Sequence, residues 1–368
     1  MIDCVERGVL LTKYVLLIIN PGSTSTKVAL YEGSECYRQE NLSHSAEDLA
    51  LYPEVVAQYP FRLQKVEEFL ASVLADLGGE ARLDAVAGIG GLLRPLQGGT
   101  YVVNEALILD LQQGVQGQHA SNLGGLLAAG IASRFGVGAY IVDPVAVDEF
   151  EDVSRLSGHP LIVRRSLSHA LNIKAVARRV CHEHGQSLAL CNFVVAHLGG
   201  GISVAALRGG RIIDVNNANE MGPFSPERTG SLPAGDLARL CFSGKFTAAE
   251  MKKQIAGQGG MVAYLATNDV REAYRRADQG DAFAKLVISA MTYQIGKEIG
   301  SMAAALQGRV DAVILTGGLA NSQRFVQEIA QYVDFIAPLR VCPGEDEMLA
   351  LAEGVCRVLD GDEEANIY

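Results

Sequence analysis

Residues 15–33 read Val15-Leu-Leu-Ile-Ile-Asn-Pro-Gly-Ser-Thr-Ser-Thr-Lys-Val-Ala-Leu-Tyr-Glu-Gly33, and residues 193–210 read Phe193-Val-Val-Ala-His-Leu-Gly-Gly-Gly-Ile-Ser-Val-Ala-Ala-Leu-Arg-Gly-Gly210. With Asn20-Pro21-Gly22 laid on His197-Leu198-Gly199, residues Ala29, Leu30 and Gly33 fall on Ala206, Leu207 and Gly210 without a gap. Each stretch reads as an apolar strand (15–19, 193–196), a turn of small residues and a second strand (27–31, 203–207). A glycine turn and a third strand follow in both (35–39, 211–215). A second pair recurs downstream in the same order: Asp84-Ala85-Val86 leads to Gly90-Gly91-Leu92, and Asp311-Ala312-Val313 leads to Gly317-Gly318-Leu319. Two collinear matches outweigh chance likeness between Gly-rich turns, so the expected fold class is α/β, built from a duplicated domain. Apolar residues spaced three and four apart predict helices over 63–77, 123–134, 171–180, 282–306 and 323–332. The expected hinge lies near residues 151–159.

The bulk properties agree with this reading. The chain has 368 residues, 49% of them hydrophobic, with 40 glycines and few aromatics. That suits a two-domain α/β protein with many tight βα turns. A formal charge of −11 argues against nucleic acid or an anionic membrane as partner. No run approaches the length of a membrane span. Residues 1–12 carry Asp3, Glu6 and Arg7 and read as a loose leader, not a signal peptide. The seven cysteines are irregularly spaced without a CxxC, which fits a reducing cytoplasm. The cluster Cys181-His182-Glu183-His184 has a faint metal-site look, but reads better as the polar end of a helix.

Three Gly-rich turns present backbone N–H groups suited to phosphate oxygens: residues 20–27, 197–201 and 316–321. The first lacks the second glycine of a Walker loop, and Gly88-Ile89-Gly90-Gly91 fails as a dinucleotide fingerprint. Residues 216–236 form a long loop shaped by glycine and proline around Arg228, too polar to be core. Ordered loops of this kind usually carry function.

Taken together, INPGSTSTK (19–27), GVQGQHASNLGG (114–125), YIVDPVAVDE (140–149), HALNIKAVARR (169–179), HLGGG (197–201), FSPERTG (224–230), LTGGLAN (315–321) and PGEDEMLALAEG (343–354) resemble the butyrate kinases of the acetate kinase family. That family lies in the superfamily of sugar kinases, actin and heat-shock chaperone ATPases. The resemblance runs in order from about Tyr14 to the end of the chain. It implies two duplicated actin-like ATPase (ribonuclease H-like) domains around a nucleotide cleft. The first would take residues 1–155 with the C-terminal helix of 345–368, and the second, nucleotide-binding, residues 156–344.

The resemblance also implies roles. Asn20, Ser23 and Ser25 would meet magnesium-bound phosphate. His197 with Gly199, Gly200 and Gly201 would form a second phosphate loop, and Gly317, Gly318 and Asn321 would line the adenosine pocket. His119, His169 and Arg228 would touch the transferred phosphoryl group, and Asp143 would position metal or substrate. One carboxylate of Glu345-Asp346-Glu347 would ligate Mg²⁺ beside Asn20, with Glu347 preferred and Asp346 open. The run also suits a helix N-terminus on charge grounds alone. ATP/ADP and Mg²⁺ are the implied cofactors, and a short-chain fatty acid or its acyl phosphate the implied partner. A homodimer or higher homo-oligomer is implied as well. A carboxylate is ionised at neutral pH, so no general base is needed to make the nucleophile; the enzyme must offset charge and align two anions. Small Ser168, where acetate kinases carry an aromatic residue, implies room for a longer acyl tail. One departure stands out: Ile89 occupies a turn where butyrate kinases usually carry arginine. It leaves open a catalytically weakened nucleotide-binding paralogue acting as sensor or partner.

Overall fold

The computed structural model describes residues 14–77 and 82–368. The leader 1–12, read as a loose extension, lies outside the described residues. The chain divides into two compact units, one ending its first segment at Arg94 and adding Gly99–Val142 and Met348–Tyr368, the other made of Pro95–Gly98 and Asp143–Glu347.

The first unit is built on β1 (Val15–Pro21), β2 (Ser25–Glu32), β3 (Glu35–Ser43), β4 (Ala85–Ile89), β5 (Thr100–Val102) and β6 (Gly138–Val142). β1 pairs antiparallel with β2 and β2 with β3, while β4 runs parallel to β1 on its other side. The sheet order is β5-β6-β4-β1-β2-β3, with the short strand Asn366–Ile367 beyond β5. Leu16, Leu17, Ile18 and Ile19 are fully buried, as expected of a central strand covered on both faces. The helix Asn122–Phe135 packs against β4 at backbone distance: a Cβ on Gly88 would sit 2.1 Å from the Gly124 carbonyl oxygen, so only glycine fits.

The second unit carries the hairpin β7 (Leu156–His159) and β8 (Ile162–Val163), then β9 (Asn192–Leu198), β10 (Ile202–Arg208), β11 (Arg211–Val215), β12 (Ala312–Gly317) and β13 (Leu339–Pro343). Its main sheet runs β11-β10-β9-β12-β13, with β9, β10 and β11 antiparallel and β12 parallel to β9. This is the first unit's order repeated, β1 to β4 and β6 finding counterparts in β9 to β13. The repeat read from the sequence is therefore a repeat of topology. Along β9, Val194, Ala196 and Leu198 join one core with the helices Ala282–Ala305 and Gln323–Val333, whereas Phe193 and Val195 join another with the helix Ala170–Glu183. The strand's two-residue period thus sends His197 to the face where residues 170–183 lie. At the end of that helix Cys181 is buried, while His182, Glu183 and His184 are exposed. Among the described residues no helix is long and apolar enough to cross a membrane.

Candidate active site

In the second unit the site is organised by the helix Ala170–Glu183. Its N-cap residue is His169, and Asn172 lies one turn in; the Asn172 side-chain oxygen Oδ1 is 2.8 Å from His197 Nδ1, and both residues are buried. His197 pairs across the ladder with Ser203, whose Oγ lies 2.9 Å from His169 Nδ1. The two imidazoles stack, with centroids 3.9 Å apart and planes 11° from parallel. Burial, then the neighbouring His197, then Arg228 hold His169 well below the ordinary histidine range, so it is neutral at pH 7. Further along the same helix, Lys174 forms a buried ion pair with Glu149 at 2.8 Å. Arg178 donates to Asp143 at 3.0 Å, and Arg179 pairs with Asp346 at 3.4 Å. Asp143 is buried and sits at φ 37°, a strained conformation for a non-glycine residue.

The loop Gly199–Gly201 joins β9 to β10. A Cβ on Gly201 would sit 2.1 Å from Arg228 Nη1, so the guanidinium lies directly on the loop's backbone. Ser225 locks this contact: its hydroxyl donates to the Gly200 carbonyl oxygen at 2.5 Å and accepts from the Arg228 N–H at 3.1 Å. Arg228 Nη1 donates to the Ala218 carbonyl oxygen at 2.9 Å, and burial lowers the guanidinium's pKa. Gly317, at φ 88°, lies against Leu198, and its backbone exchanges two hydrogen bonds with Gly344. A cleft of about 800 Å³ opens here, lined by Gly199, Gly200, Glu227, Gly318, Asn321 and Glu345 among others. Glu345 Oε1 stands 3.3 Å from His197 Nε2.

In the first unit, Asn20 is the next-to-last residue of β1, Ser23 lies in the turn to β2, and Ser25 opens β2. His119 stands just before the helix Asn122–Phe135, its Nδ1 2.8 Å from the Ser121 hydroxyl. Asn122 closes the neighbouring turn, accepting from the Leu92 N–H at 2.9 Å and donating to the Gly117 carbonyl oxygen. The second unit thus gathers His169, His197, Gly199–Gly201, Arg228, Gly317, Gly318, Asn321 and the carboxylates 345–347, with Asp143 on the same helix's hydrogen bonds. Sequence reasoning missed Asn172, Ser203 and Ser225, which fix the imidazoles and the arginine loop. It also missed Arg62, fully buried beneath the turn from Gly22 to Ser25. A polar residue interrupting an apolar helical face was the available signal for Asn172 and Arg62.

The acetokinase family model matches residues 153–339. The chain is 53% identical over 358 residues to butyrate kinase 2 of Clostridium acetobutylicum, covering 97% of this chain and 99% of that one. It is 52% identical over 355 residues to a probable butyrate kinase 2 of Caldanaerobacter subterraneus, covering 96% and 99%. The chain belongs to the acetokinase family. Solved structures agree on the fold: an acetate kinase of Porphyromonas gingivalis superposes with a TM-score of 0.73 at 19% identity, over 93% of this chain and 99% of that one. A propionate kinase of Francisella tularensis gives 0.74 at 18% identity, over 93% and 98%. The acetokinase-family fold is the actin-like ATPase fold, and the duplicated sheet order described above is its expression in this chain. Among the described residues no group of three or more histidine, cysteine, aspartate or glutamate side chains is placed to cage a metal. That donor set still suits magnesium, which keeps several waters and needs only one or two carboxylates beside phosphate oxygens.

Proposed function

We propose that this protein is a butyrate kinase-like carboxylate kinase, moving a phosphoryl group reversibly between MgATP and a short-chain fatty acid (butanoate + ATP = butanoyl phosphate + ADP). The observation that carries the reading is the identity above 50% to curated butyrate kinases over nearly the whole chain. Nothing in the likeness to known proteins favours a weakened paralogue.

The cleft beside Gly199, Gly200, Gly318 and Asn321 would take the nucleotide. Arg228, held on the Gly201 backbone, would touch the transferred phosphoryl group, as would His119; Asn20, Ser23 and Ser25 would meet magnesium-bound phosphate. His169, being neutral, would donate a hydrogen bond instead of a full charge. The Ser203 oxygen accepts from the His169 backbone N–H at 3.4 Å, so its own proton is available to Nδ1. With Ser203 donating to Nδ1, the imidazole would carry its proton on Nε2. Asp143, held by Arg178, would orient metal or substrate. Asp346 or Glu347, with Asn20, would hold magnesium, which when bound offsets phosphate charge. Six free cysteines among the described residues fit a reducing cytoplasm. The exposed aromatic and aliphatic side chains Tyr264, Phe283 and Leu286 support assembly into a homodimer or larger homo-oligomer.

Ser168 is small and buried beside His169. Room for a longer tail, with each buried CH₂ contributing about 0.8 kcal/mol, favours butyrate or a branched four- to five-carbon acid over acetate. The expected margin is about one to two orders of magnitude in kcat/KM. ATP consumption measured with butyrate, acetate, glucose or no acceptor tests this. Turnover that does not depend on a carboxylate would overturn the function, and a preference for acetate would overturn the chain-length reading.

A further inference from the structure

The helix Tyr59–Asp76 buries Arg62 on the same face as Val66, Phe69, Leu70 and Val73. A buried guanidinium is usually matched by a carboxylate, because an uncompensated charge in the interior is costly. Every acceptor of Arg62 here is neutral. Nη1 donates to the carbonyl oxygens of Gly22 (2.9 Å) and Ser25 (3.0 Å) and to Thr26 Oγ1 (3.0 Å). Nη2 donates to the Ser23 carbonyl oxygen (3.3 Å) and to Gln58 Oε1 (2.8 Å), which also accepts from Nε (3.1 Å). Burial brings the guanidinium down to about 10, still charged at neutral pH. Its neighbour His44, 2.9 Å from the same Thr26 hydroxyl, is held neutral by burial and by Arg62.

The grip has a consequence for the other side of the turn. In a planar trans peptide the C=O and the following N–H point in opposite directions. With the carbonyls of Gly22 and Ser23 drawn toward Arg62, the N–H groups of Ser23 and Thr24 are turned away from it. Both residues are exposed, so those amides face solvent. The Gly22 N–H is already spent on the Ser25 carbonyl oxygen at 2.8 Å. The turn therefore has an inner face of carbonyls on a cation and an outer face of amides and hydroxyls. Outward amides above a fixed positive charge make an anion site.

We propose that Arg62 is the positioning residue of this turn: from inside the unit it aims the Ser23 and Thr24 amides at the phosphate this turn would meet and sets a positive charge beneath them. The proposal rests on the kinase reading above, which makes the turn a phosphate site. It also gives the first unit a fixed cation in a chain where Ile89 stands at the end of β4.

Arg62→Lys tests charge and fork separately. A buried lysine without a carboxylate has its pKa lowered, so it loses its proton in an alkaline range where the arginine keeps its own. With butyrate and MgATP, kcat is expected about tenfold below wild type at pH 7 from the lost fork. It should fall about tenfold further toward pH 9, where wild type stays flat. KM for ATP should stay within about twofold throughout, since the nucleotide cleft belongs to the second unit. A merely structural arginine would instead lower the melting temperature and leave kcat of the folded protein unchanged at every pH, and that result would overturn the proposal. Should Arg62→Lys fail to fold, Gln58→Met releases one side of the fork with the cation in place. It is expected to lower kcat at least about threefold at constant KM for ATP, and an unchanged kcat would count against Arg62. In the wild type, the Ser23 and Thr24 amide resonances should shift on adding butyrate with a non-hydrolysable MgATP analogue, and their standing still would also overturn it. A wild type without butyrate-dependent ATP consumption would reject the kinase reading itself; an active wild type with indifferent variants would reject only the role of Arg62.

Discussion

Arg228 shows how a single side chain is made specific by what it lies on. Its guanidinium rests against the Gly201 backbone and donates to the Ala218 carbonyl oxygen, while Ser225 ties its own backbone to the Gly200 loop. A planar fork held this way can present parallel N–H groups to phosphoryl oxygens, which an ammonium cannot copy. Arg228→Ala is expected to lower kcat by about 10³-fold, and Arg228→Lys to recover little of it; steady-state kinetics with butyrate checks both. Near-normal kcat in either variant would return Arg228 to an ordinary loop residue. Residue type within a motif was enough to single out Arg228, His169 and His197. Their supports, Asn172, Ser203 and Ser225, depend on which strand and helix face each other, and neither side chain of such a pair announces the other.

At the scale of elements, the turn that follows β4 decides whether another arginine replaces the one missing at Ile89. Arg94, five residues on, is committed elsewhere. It grips Asp110 of the helix Glu105–Gln113 through Nε at 2.7 Å and Nη2 at 3.1 Å, and this bond holds the Asp110 carboxyl below the usual range. The Tyr368 hydroxyl donates to the same carboxylate at 2.7 Å and accepts from the Arg94 N–H at 3.1 Å, so the C-terminal strand shares the clamp. Arg94→Ala should therefore loosen this corner and lower the melting temperature while kcat stays near wild type. Ile89→Arg should raise kcat about tenfold or more, worth about 1.4 kcal/mol of barrier. A severe loss of kcat in Arg94→Ala would show that Arg94 does reach the site, and no response to Ile89→Arg would show that this turn is not catalytic.

Across the whole molecule, acid stability is coupled to a buried histidine. His44 titrates near 4 in the folded chain, against 6.5 for an ordinary histidine, because it is buried and lies near the Arg62 charge. Between those values the unfolded chain binds a proton that the folded chain does not, so stability is complete above about pH 6.5 and drains away as pH falls toward 4. The contribution is at most about 1.4 kcal/mol per pH unit in that window. Thermal melts from pH 7 to pH 4.5 should show the decline, and His44→Gln should flatten it; equal slopes in the two proteins would remove His44 as a cause. By itself the sequence determined the duplication, the meanders of β1–β3 and β9–β11, the long helices and the Gly-rich turns. Those are written in periodicity and turn chemistry, which act over a few neighbouring residues. Only the tertiary structure decided that helix 170–183 would hand Asn172 to His197, Arg178 to Asp143 and Arg179 to Asp346, or that Arg62 would serve a turn some forty positions away in the chain. Such pairings arise when a helix docks on a sheet at one particular register, and that register is set by the close packing of many apolar side chains at once.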